Sequence, residues 1–186
     1  PKPDGSAPNN WGSIFGSGSA WEYCGEREQY YLHLFAVEQP DLNWENPDLR
    51  KEVYDNMEFW LNKGVDGFRL DSISLISKNQ DFPDDPNANK NDYGSPYFGS
   101  SNGPRVHEFL QEMYDNVLSK YDVMTVGEAT RTPVDKALLY CQPERKELNM
   151  VFHFDHMHLD YGKYGKFSDV RFKLSDLRAT LSEWQE

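Results

Sequence analysis

Apolar side chains recur at helical spacing in four stretches of the chain and cluster into short strand-like runs in others. Leu49, Val53, Met57, Trp60 and Leu61 fall three or four residues apart, the period of one helix face. Asn46 supplies an N-cap, Pro47 suits a first turn, and Gly64 a C-terminal stop, so a helix is predicted between them. A second begins at Pro104 and carries Val106, Phe109, Leu110, Met113, Tyr114, Val117 and Leu118 as one stripe. A short third follows Thr132-Pro133, and a last starts at Ser175 and runs through Leu177, Leu181 and Trp184. Between them lie three strand-like runs, over 65–71, 123–128 and 150–154. Helices alternating with short apolar strands predict an α/β fold, a parallel sheet joined by crossover helices.

The first 45 or so residues read differently, as loop with short strands that include residues 30–35. A polar stretch from 77 to 103, rich in Pro, Asn and Asp, is too long for a simple connection and reads as a functional or mobile loop. Two of the predicted strands end in a carboxylate, Asp71 and Glu128. Groups at the carboxyl ends of parallel strands are where α/β sites form. Neighbouring strands lie about 4.8 Å apart, so matched carboxylates fall about 5–5.5 Å from each other, the separation of a retaining glycosidase. Arg69, two residues before Asp71, shares its face and would hold it charged and oriented. Glu128 has no basic neighbour in sequence until Arg131 and would hold its proton more tightly. Both acids could equally cap strands or form ion pairs.

Charge and composition narrow the classes. With 19 basic and 31 acidic side chains the net charge is −12, which repels phosphate backbones and excludes nucleic acid. Aromatic residues make up 15% of the chain, too many for a disordered acidic segment. No run of 18 apolar residues exists to span a membrane. The opening Pro1-Lys2-Pro3-Asp4-Gly5 has no apolar segment of a signal peptide, and two cysteines, Cys24 and Cys141, read as free thiols of a reducing, cytoplasmic setting. Asn10, Trp11 and Trp21 could stack on sugar rings or build the core. His153, Asp155, His156 and His158 invite a metal, but strand alternation divides them between two faces, so no metal is expected there.

Several motifs, in order, resemble one family. Gly67-Phe68-Arg69-Leu70-Asp71 looks like the nucleophile strand of the α-amylase superfamily of glycoside hydrolases, and Thr125-Val126-Gly127-Glu128 like its acid/base strand. Gln39-Pro40-Asp41-Leu42-Asn43 resembles the motif near the end of the family's inserted B domain. Flanks such as Tyr30-Tyr31-Leu32-His33-Leu34-Phe35, Asn43-Trp44-Glu45-Asn46-Pro47 and Glu147-Leu148-Asn149-Met150-Val151-Phe152 are similar to the α-glucosidase and oligo-1,6-glucosidase group.

That resemblance implies a partial (β/α)8 TIM barrel, about strands 4 to 6 with their helices, over 46–186, preceded by the end of an inserted B domain over 1–45. It implies Asp71 as nucleophile, Glu128 as acid/base and Arg69 as the arginine beside the nucleophile, with Phe35, Gln39 and Phe15 lining a glucose pocket. The residue after the nucleophile follows linkage in this group, Val with α-1,6 and Thr with α-1,4; Ser72 here matches neither. Lys78 falls where the α-glucosidases put an ammonium in place of the calcium of α-amylases, to neutralise Asp41 or nearby carbonyls; a solvated surface lysine is the plain alternative. The substrate implied is a short α-linked oligosaccharide, hydrolysed without a cofactor. The family's Asn-His-Asp motif and its earlier histidine motif do not occur in these 186 residues. The expectation is therefore part of a larger enzyme, needing the remainder of its chain to close the barrel and to act. Sucrose isomerisation and a non-catalytic barrel relative are the other readings.

Overall fold

The structure, a computed structural model, describes residues 2–16, 18–89, 92–162, 165–166 and 168–185. Ser17 of the turn-rich start, and Lys90 and Asn91 of the polar stretch, lie outside the described residues. The chain divides into two compact units, one of residues 1–53 and 75–106, the other of 54–74 and 107–186. No described helix is long and apolar enough to cross a membrane.

The first unit holds a two-stranded antiparallel hairpin, β1 (Trp21–Cys24) and β2 (Gln29–Leu32), in the register Trp21↔Leu32. The strand expected over 30–35 ends at Leu32; His33 N–H still donates to the Ala20 carbonyl at 2.8 Å, and the pairing is lost at Leu34, whose N–H turns to Asp41 Oδ2 at 2.8 Å. Trp11, Ala20, Leu34 and Leu75 form its core, with Ile14, Leu32, Phe35, Phe82 and Tyr97 packed around them. Trp11 is fully buried and Trp21 nearly so, so both indoles build the core. The polar stretch is pinned to that core: Trp11 Nε1 donates to the Pro83 carbonyl at 3.0 Å, and the Gly12 and Gly94 amides bond Gly94 and Asn10 carbonyls. Asp85 is buried in this loop and accepts the Ser95 and Asn87 amides at 2.8 and 2.9 Å, which hold its carboxyl below the usual range.

Helix α1 (Pro47–Leu61) starts as the sequence predicts, with Asn46 Oδ1 accepting the Asp48 N–H at 2.9 Å, and it ends before Gly64, whose φ of +93° a glycine adopts without strain. Its buried face is Arg50, Tyr54, Met57 and Leu61. Trp60, expected inside, points outward with Phe59. Three successive apolar residues turn through about 100° each and cannot share one face.

The second unit carries a three-stranded parallel sheet in the order β3 (Gly67–Leu70), β4 (Met124–Glu128), β5 (Met150–Phe152). Helix α2 (Val106–Asn116) lies in the chain between β3 and β4, and α3 (Val134–Cys141) between β4 and β5; α4 (Leu174–Glu183) closes the order. The α2 stripe is buried as expected, with Phe109, Leu110, Met113 and Val117 at 0–1% exposure. Thr125 and Asn149 fix the start of the β4–β5 ladder: the Thr125 amide donates to Asn149 Oδ1 at 2.8 Å, and the Asn149 amide to Thr125 Oγ1 at 3.1 Å. Strand β5 is shorter than expected because Phe154 leaves the extended region, with ψ of 3°, and a single turn of 3₁₀ helix (Asp155–His158) follows.

Candidate active site

The register of the sheet places the two strand-end carboxylates side by side. Leu70 of β3 faces Gly127 of β4, so Asp71 and Glu128 come one step further at the same ends of adjacent parallel strands. Gly127 has no room for a side chain: a Cβ there would stand 2.6 Å from Leu148 Cδ1 and 2.9 Å from Ile73 Cγ2. Close packing under Gly127 thus seats the backbone that presents Glu128.

Arg69 joins the pair. One guanidinium nitrogen donates to Asp71 Oδ1 and another to Glu128 Oε2. The sequence reading gave Arg69 to Asp71 alone; its reach across to the next strand is what the structure adds. Its guanidinium carbon lies 5.7 Å from the centre of the Phe152 ring of β5, so all three strands contribute to the arrangement. Ser72 sits in the left-handed region at φ +45°, and from there its amide points to Glu128 Oε2 at 3.4 Å.

The two acids occupy different surroundings. The Asp71 side chain is 71% exposed, open to a ligand, whereas that of Glu128 is 15% exposed. Burial is the main cause of a proton affinity of Glu128 above the usual carboxylate range; Asp71 beside it acts in the same direction, while Arg69 and the Ser72 amide oppose. An exposed carboxylate next to a half-buried one that favours its proton is an arrangement able to divide attack and proton donation between two acids.

The remaining candidates are distributed as follows. In the first unit Phe15 and Phe35 meet edge to face, with ring centres 5.0 Å apart, and Phe15 is 70% exposed. Gln39 Oε1 accepts the Ala36 N–H at 3.2 Å, closing the loop that follows Phe35. Lys78 is buried rather than solvated: its ammonium donates to Asp41 Oδ1 at 2.6 Å and to the Leu75 carbonyl at 2.8 Å. Asp41 is thereby neutralised while its other oxygen holds the Leu34 amide. Lys78→Met leaves that half-buried carboxylate without its cation and is expected to cost about 3 kcal/mol, measured as the shift in the urea-unfolding midpoint.

Within the histidine cluster His153 and His156 meet edge to face, with ring centres 5.0 Å apart, and the other side chains turn to different partners. His153 stacks on Trp184 with ring centres 3.8 Å apart, Asp155 accepts the Trp184 indole N–H at 2.9 Å, and His158 packs against Tyr161. Burial holds His153 and His158 below the usual imidazole range. Among the described residues no group of three or more His, Cys, Asp or Glu is placed to hold a metal.

The family described as "Alpha amylase, catalytic domain" matches residues 1–186. The chain belongs to the α-amylase family. The oligo-1,6-glucosidase of Parageobacillus thermoglucosidasius is 55% identical over 188 residues, covering 100% of this chain and 33% of that protein. The trehalose-6-phosphate hydrolase of Bacillus subtilis (strain 168) is 53% identical over 185 residues, covering 100% and 32%. The crystal structure of the trehalose-6-phosphate hydrolase of Bacillus licheniformis superposes with a TM-score of 0.89 at 52% identity, covering 99% of this chain and 32% of that one. The chain thus spans about a third of the length of the relatives it matches, and its parallel sheet and helices are part of an α-amylase catalytic domain.

Proposed function

We propose that this chain is the part of an α-glucosidase that supplies its nucleophile and its acid/base, acting on short α-linked glucosides. One observation carries the reading: a single guanidinium, that of Arg69, binds both strand-end carboxylates, one exposed and one half-buried. Asp71 attacks the anomeric carbon while Glu128 protonates the departing glycosidic oxygen. The bond to the leaving group breaks as the Asp71–glucosyl ester forms. Glu128, now ionised, takes a proton from water, which opens the ester and regenerates both acids. Two inversions leave the α configuration. Phe15, Phe35 and Gln39 bind the glucosyl unit, and Ser72 borders the reacting carbon. In this reading β3, β4 and β5 are strands 4 to 6 of a (β/α)8 barrel over 46–186, residues 1–45 end an inserted B domain, and the rest of the enzyme's chain completes both barrel and site.

The oligo-1,6-glucosidase relatives favour α-1,6 bonds, although Ser72 carries neither side chain tied to a linkage. A second reading, hydrolysis of trehalose 6-phosphate, has the 53% identical relative behind it. A phosphate needs cations, which a chain of net charge −12 is poorly suited to offer. Proton NMR of the full-length enzyme on isomaltose, maltose and trehalose 6-phosphate tests all of this. α-Glucose appears first from isomaltose, ahead of mutarotation. Initial release of β-glucose would exclude the double displacement, and turnover of trehalose 6-phosphate alone would favour the second reading.

A further inference from the structure

The hydroxyl of Ser13 lies between the two phenylalanines described above. It accepts the Phe15 amide N–H at 3.3 Å and donates to the Phe35 carbonyl at 2.6 Å. That carbonyl receives a second bond, from His33 Nδ1 at 3.2 Å. A carbonyl only accepts, so Nδ1 of His33 is the donor of this bond. His33 is 3% exposed, and its Nε2 is buried with no hydrogen-bond partner. The imidazole therefore does its hydrogen bonding toward Phe35. The neighbouring residues are held as firmly: Ile14 N–H donates to the Leu34 carbonyl at 2.7 Å, and Leu34 N–H to Asp41. The two segments that carry Phe15 and Phe35 are thus joined by the Ser13 hydroxyl and by the backbone bond of Ile14.

What is held matters because of its exposure. Phe15 is largely open to solvent, yet its ring is edge to face with Phe35 rather than folded into the core. An exposed aromatic ring keeps one orientation only if its backbone is fixed, and here one hydroxyl fixes both rings' backbones relative to each other. We propose that Ser13 and His33 are positioning residues, which set the Phe15–Phe35 aromatic wall through the Phe35 carbonyl and so tune affinity for the glucosyl ring. This rests on the reading of Phe15 and Phe35 as sugar-binding residues, and the test separates the two.

In the full-length enzyme with p-nitrophenyl α-glucoside, Phe35→Ala raises KM at least tenfold. Ser13→Ala raises KM about 3- to 10-fold, the worth of one hydrogen bond, with kcat within twofold, and Ser13→Thr restores it. Asn places its amide nitrogen near the Nδ1 position and Gln near Nε2, so His33→Asn keeps the parent KM and His33→Gln raises it. Added to Phe35→Ala, Ser13→Ala changes KM no further, the non-additivity of residues acting through one another. Ser13→Cys, a weak donor of similar size, carries the same test if the alanine variant does not fold. An unchanged KM in Phe35→Ala overturns the sugar-binding reading itself. A raised KM there with an unchanged KM in Ser13→Ala overturns the positioning role, as does a full additive effect in the double variant. Parent-like KM in His33→Gln with loss in His33→Asn would assign the histidine's work to Nε2 instead.

Discussion

Asp71→Asn lowers kcat of the full-length enzyme about 10⁴- to 10⁶-fold on every α-glucoside it cleaves, the scale on which removing a nucleophile acts. The amide is isosteric with the carboxylate and still meets the Arg69 guanidinium through its oxygen, so fold and substrate binding persist. What is lost is the attacking oxygen. The structure sets the expected pattern: the Asp71 side chain is 71% exposed and lies outside the packed core, so thermal stability changes little while KM stays within a fewfold. Stopped assays with p-nitrophenyl α-glucoside, paired with melting curves, separate this from a folding defect. A variant that kept a tenth of the parent kcat would place the nucleophile elsewhere.

Glu128→Gln has a different signature. Loss of a general acid costs about 10²- to 10⁴-fold on substrates with poor leaving groups, such as isomaltose. α-Glucosyl fluoride, whose fluoride departs without a full proton transfer, is affected much less in the first step. The parent's pH profile follows from the same carboxyl. Glu128 must be protonated for the first step, and burial raises its hold on that proton, so the alkaline fall of kcat/KM lies above the ordinary carboxylate range. That limb disappears in Glu128→Gln. Arg69 opposes the rise, so in Arg69→Met the limb moves to still higher pH. An alkaline limb unchanged in Glu128→Gln would deny it the acid role.

The parts of this account that were readable in the sequence are those set by local patterns. The α2 stripe needed only a 3.6-residue period, the start of α1 only Asn46 and Pro47, and the matched position of Asp71 and Glu128 only the rule that parallel strands end together. The family motifs marked Asp71 and Glu128 as the candidate pair. Features that depend on reach across the fold were hidden. Arg69 is two residues from Asp71 in sequence and 59 from Glu128, and only the β3–β4 register brings the second carboxylate within the span of one guanidinium. Lys78 could have been a solvated lysine in a polar loop; it is buried because Asp41 and the Leu75 carbonyl converge on it. Trp60 failed the pattern because a run of apolar residues outnumbers the positions on one helix face. Ser13 gave no signal at all. A lone serine after Gly12 reads as turn chemistry, and its role appears only where Phe15 and Phe35 come together.

The most direct test of the central claim is to trap the covalent intermediate. The full-length enzyme is incubated with an activated 2-deoxy-2-fluoro-glucosyl donor, digested, and the labelled peptide sequenced by mass spectrometry. The account predicts one equivalent of fluoroglucosyl ester on Asp71, formed at normal pH and absent from Asp71→Asn. A label on Glu128 or any other residue, or no ester under conditions where the enzyme turns over, would contradict it.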